Sequence, residues 1–98
     1  MSAEAASLHV SGGRWQVAGT LSMDTVETVR VASAAIGMPQ DGIIDLAAVD
    51  RVDSAGVALV LSWTRRAAAE GRPLVFAGMP QSMRALATLY GVEELLVV

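Results

Sequence analysis

Two short apolar runs, Ile43-Ile44-Asp45-Leu46 and Leu74-Val75-Phe76-Ala77, stand on either side of a long segment whose apolar residues recur at helical spacing. Strands separated by roughly 10–15 helical residues cannot close as a hairpin; they pair in parallel through a right-handed crossover. The chain is thereby restricted to α/β architectures, in which helices cover a largely parallel sheet.

The remaining segments fit that frame. Leu8-His9-Val10-Ser11 and Arg14-Trp15-Gln16-Val17-Ala18 flank Gly12-Gly13, which predicts an antiparallel hairpin with a tight turn at positive φ. Asp24 is an N-cap residue type with Glu27 three positions on, and Val26, Val29, Ala32 or Ser33, and Ile36 continue at helical spacing until Gly37 and Pro39. The run Ile43–Leu46 suits a strand buried on both faces apart from Asp45, and Asp50-Arg51 reads as a polar turn after it. Asp53 and Ser54 are N-cap types for a helix reaching Glu70, with Val57, Val60, Leu61, Thr64, Ala67 and Ala68 on one face and Gly71 as the C-terminal stop. Pro73 opens the fourth strand, and Pro80 a third helix through Met83, Leu86, Leu89 and Tyr90. The tail Val92–Val98 fits either an edge strand or a turn of helix. One domain over residues 1–98 is expected, with a mixed sheet of four or five strands, helices on one side, and the first strand antiparallel at an edge.

Composition narrows the function classes. Apolar residues make up 53% of the 98, a surplus for a chain with so much surface per volume, which points to a partner surface. Seven arginines, no lysine and ten acidic residues give a net charge of −3 without a basic cluster, so nucleic acid is not an expected partner. There is no cysteine, and the first residues lack the basic and apolar stretches of a secretory signal, which together fit a cytoplasmic protein. The charge-free run Ser54–Thr64 is far shorter than the ~20 residues a membrane helix needs, so no membrane insertion is expected.

No catalytic set emerges. His9 is the lone histidine and lies on a predicted edge strand, so a Ser-His-Asp arrangement has no second choice of base. Asp41, Asp45, Asp50 and Asp53 lack the spacing of a calcium loop, and no glycine-rich phosphate loop is present. A protein without enzymatic activity, cofactor or metal is expected. Two features remain. At Val52-Asp53-Ser54-Ala55-Gly56 a helix starts with small residues, either as a plain cap or as a place where a partner meets free backbone N–H groups. Leu59, Trp63, Arg66 and Glu70 share a stripe turned away from the Val57 face, with Ser62 and Arg65 beside it. That stripe reads either as an interface anchor with a polar rim or as Trp63 folded into the core.

These segments resemble the STAS domain of anti-sigma factor antagonists and sulfate transporters. Ile43-Ile44-Asp45-Leu46, Val52-Asp53-Ser54-Ala55-Gly56, the apolar helix, Gly71-Arg72-Pro73-Leu74-Val75-Phe76 and the closing helix carry the likeness over nearly the whole chain. The antagonists carry Asp-Ser-Ser-Gly, whose second serine a partner kinase phosphorylates; here Ala55 fills that slot and cannot accept phosphate. The runs RVDSAGVALVLSW and GRPLVFAGMPQSMRALATLYGV are more similar to the stand-alone MlaB-like STAS subunit of the ABC transporter that maintains outer-membrane lipid asymmetry. That resemblance implies a non-catalytic subunit on the cytoplasmic face of the inner membrane, bound to the transporter's ATPase subunit, with Ser54 at the loop position of the contact. The loop Asp53, Ser54 and Ala55 and the outward stripe Leu59, Ser62, Trp63 and Arg66 are the expected contacts. The alternative is an anti-sigma antagonist that binds a regulatory kinase. A small hydrolase or nucleotide-binding enzyme using the helix start at Ser54 is a third reading, which the lone His9 disfavours.

Overall fold

The computed structural model describes residues 5–96. The elements run β1 (Ala6–Ser11), β2 (Arg14–Leu21), α1 (Val26–Ala34), β3 (Ile43–Val52), α2 (Ser54–Ala69), β4 (Val75–Ala77), α3 (Gln81–Leu89) and a closing 3₁₀ turn, Glu93–Leu95. The sheet has four strands in the order β1-β2-β3-β4. β1 and β2 form the expected antiparallel hairpin, closed by Gly12 (φ 60) and Gly13 (φ 81), and the other two pairings are parallel.

Both parallel crossovers step the same way across the sheet, so right-handedness places α1 and α2 on one face. That face supplies Trp15, Val17, Leu21, Ile44, Leu46 and Phe76 to the core, and the helices return Val29, Val57, Val60, Met83 and Ala87. The opposite face carries His9, Gln16 and Ala47, all exposed. The fold class read from the sequence is the one observed, with four strands. Among the described residues no helix is long and apolar enough to cross a membrane.

Three local expectations change. α1 starts at Val26, and Asp24 does not cap it: Thr25 Oγ1 accepts from Ser22 N at 2.9 Å and donates to Thr20 O, so hydroxyls build the turn that admits the helix. β3 runs through the segment read as a polar turn. Asp50 and Arg51 stay in the strand because β2 is long enough to pair Thr20 with Arg51; Asp50 falls at the register shift before that pair, and its Oδ1 accepts from Thr20 Oγ1 at 3.1 Å. Asp45 Oδ1 accepts from Ala47 N at 2.9 Å, next to the stretch where the β2–β3 register shifts. At the end of α3, Leu89 (76% exposed) and Tyr90 (48%) stand clear of the core that Met83 and Ala87 enter. The tail resolves as the 3₁₀ turn with Leu96 buried after it, and Val97 and Val98 lie outside the described residues.

Candidate functional site

Where β3 leaves the sheet, Asp53 N donates to Leu21 O at the end of β2, and the chain turns directly into α2. Asp53 is extended (φ −118, ψ −168) and serves as the N-cap: its Oδ1 accepts from Ala55 N at 2.8 Å and Gly56 N at 3.4 Å. Its Oδ2 accepts from Met23 N at 3.0 Å in the β2–α1 turn. One carboxylate thus holds the start of α2 and the neighbouring turn together, with its charge at the positive end of the helix dipole.

Gly56 is the steric counterpart of that cap. A Cβ there would lie 2.4 Å from Val52 Cγ2, 2.6 Å from Leu21 O and 2.9 Å from Leu21 Cβ, so only glycine lets α2 press this closely onto the strand ends. Ser54 is left exposed, its hydroxyl making no hydrogen bond to the described residues, and Ala55 is half-buried beside it. A shallow cleft runs alongside, lined by Thr20, Ser22, Asp50, Arg51, Asp53 and Ser82.

The structure brings Asp53, Ser54 and Ala55 together at the surface and separates them from the other candidates. Leu59 (4% exposed) and Trp63 (2%) are buried, which corrects the expectation of an outward apolar stripe. The reason is tertiary: α2 faces the sheet and is also flanked by α1 and α3, so its buried arc is wider than one helical face, while Leu61 and Thr64 of the predicted inner face are only half-buried. Trp63 packs edge-to-face on Trp15, with ring centres 5.6 Å apart at 80°, and Arg66 lies 6.0 Å over the same Trp15 ring.

Arg66 donates to Ser33 O at 2.9 Å and Ile36 O at 2.6 Å and pairs with Glu70 at 3.1 Å, so its guanidinium closes the C-terminal end of α1. Ser62 Oγ donates to Leu59 O within its own helix. What α2 shows to solvent is Ser54, Ala58, Arg65, Ala68 and Ala69.

His9 pairs with Gln16, five residues before Leu21 on β2, which puts it about 17 Å along the strand from the end where Ser54 stands. It cannot serve Ser54 as a general base. The residue that periodicity passed over is Met23, 76% exposed in the turn that Asp53 grips. Its one signal is an apolar side chain inside a hydroxyl- and acid-rich stretch, Ser22-Met23-Asp24-Thr25, outside any helical stripe.

A family model described as "Mlab, STAS domain" matches residues 4–98. No curated protein matches the chain.

Proposed function

The chain belongs to the MlaB-like STAS domain family, and from that premise we propose that it is a non-catalytic subunit that docks on the ATPase of an ABC transporter moving phospholipid to maintain outer-membrane lipid asymmetry. The observation that carries the reading is the strand–loop–helix junction itself. Ser54 is exposed on a backbone fixed from both sides by Asp53, which suits a contact whose geometry must be ready before the partner arrives. The partner's location would hold the domain at the cytoplasmic face of the inner membrane. Leu59 and Trp63 take no direct part, because they are buried.

The anti-sigma antagonist reading requires a phosphoacceptor where Ala55 stands, and the side chain there has no hydroxyl. Binding of the purified chain to the purified ATPase subunit, with Ser54→Arg as the variant, tests the proposal. Ser54→Arg adds bulk and charge at the contact and should abolish binding at an unchanged melting temperature. A wild-type chain that fails to bind, or a variant that binds normally, overturns the assignment.

A further inference from the structure

We infer that Met23 is the apolar anchor of the docking surface and that the partner receives it in an apolar pocket rimmed by basic side chains, an inference that rests on the ATPase-docking reading above. Met23 projects from the β2–α1 turn with 76% of its surface exposed, so it gives the core almost nothing. Its main chain, by contrast, is fixed. Met23 N donates to Asp53 Oδ2 at 3.0 Å, Asp24 N to Ser22 Oγ at 3.3 Å, and Thr25 N to Ser22 O at 3.0 Å.

A long apolar side chain held out by an ordered turn has little backbone entropy left to lose on association. An unbranched thioether also adapts to an irregular pocket better than a branched side chain does. The anchor and Ser54 form one surface because the two oxygens of the Asp53 carboxylate hold Met23 N and Ala55 N respectively.

Charge selects the partner's rim. Asp24 follows Met23 and is exposed, Asp50 is exposed at the end of β3, and Asp53 lies between them, with Arg51 as the cation of the adjoining cleft. The field around Met23 is therefore negative, and a partner that matches it offers arginine or lysine around the pocket. Leu89, as exposed as Met23, and Tyr90 stand at the end of α3 opposite to Ser82, so they are not part of this surface.

The test is calorimetric titration of the purified chain against the purified transporter ATPase subunit, using wild type, Met23→Ala, Met23→Leu, Asp24→Lys and Ser54→Arg, each with a thermal melt. Met23→Ala should weaken binding ~10-fold or more at the wild-type melting temperature, and Met23→Leu should restore most of the loss. Asp24→Lys should weaken binding and reduce its dependence on salt. If Met23→Ala binds within about twofold of wild type while Ser54→Arg loses binding, the anchor is wrong and the docking reading stands. A lowered melting temperature in Met23→Ala also overturns the anchor, since it would give the side chain a part in the fold. If the wild-type chain does not bind the ATPase, both fail.

Discussion

The indole N–H of Trp63 donates a 3.0 Å hydrogen bond to the hydroxyl of Ser33, joining α2 to α1 where both residues are closed to solvent. The same hydroxyl donates to Arg30 O at 2.9 Å, so Ser33 links the indole to the main chain of α1. Truncating Trp63 removes a large apolar surface, an aromatic contact with Trp15 and this bond together. Trp63→Ala should cost about 3–5 kcal/mol, read as a lower urea midpoint. Ser33→Ala, which strands a buried N–H, should cost about 1–3 kcal/mol.

Arg66 acts through two carbonyls, Ser33 O in the last turn of α1 and Ile36 O just after it. Its side chain is 29% exposed, so its bonds are worth less than fully buried ones. Arg66→Met, which keeps the apolar stem, should lose about 1–2 kcal/mol. Arg66→Lys should recover only part of that, because one ammonium does not reproduce the guanidinium fork. Chemical denaturation of the three proteins gives the ranking.

Gly56→Ala forces a methyl against the Leu21 carbonyl, which is backbone and cannot rotate away. Overpacking of this kind costs about 1–3 kcal/mol. The relief available is a small outward shift of the α2 start, so the variant should show a lower melting temperature and changed amide shifts at Asp53–Val57.

Asp53→Asn separates the two jobs of the cap. Asparagine keeps one carbonyl oxygen to cap α2 but has no second oxygen for Met23 N. Global stability should change by less than about 1 kcal/mol, while the Met23 amide exchanges faster with solvent. Asp53→Ala loses both functions and should cost about 1–2 kcal/mol.

Glu27 and Arg30 pair at 2.6 Å on the solvent side of α1, and the hydrogen bond from Arg30 holds the Glu27 carboxyl below the ordinary glutamate range. A folded-state value below the unfolded one means that the contribution is present above the ordinary range and is lost as pH falls through the lowered value. Melting temperatures of wild type and Glu27→Gln, measured from pH ~7 down to pH ~3, should differ slightly at neutrality and converge in acid.

Much of this molecule was legible in one dimension. The Gly12-Gly13 hairpin, the parallel crossovers and the Asp53 cap each rest on a local rule: a turn that needs positive φ, strands too far apart for a hairpin, an acceptor ahead of a helix. Where a rule competed with a partner elsewhere in the chain, the local reading failed. Asp50-Arg51 has turn composition, yet β2 pairs with Arg51 and draws the segment into β3. Asp24 has cap chemistry, yet the helix starts after Thr25, whose hydroxyl ties the turn to Ser22 N and Thr20 O.

The candidate site divides in the same way. Asp53, Ser54 and Ala55 are adjacent in sequence at a strand-to-helix junction, so the sequence determined that they would lie together. The sheet packing then decided why Gly56 follows them. The fate of Leu59, Trp63 and Arg66 depended on how many neighbours α2 would have, which helical periodicity does not encode. With α1 on its flank, Trp63 closes on Ser33 and Trp15 and Arg66 caps a helix 30 residues earlier in the chain. Met23 became part of the candidate surface only when Asp53, also 30 residues away, reached its amide. Contacts between residues so far apart in the chain exist only once the sheet has brought β2 and β3 side by side.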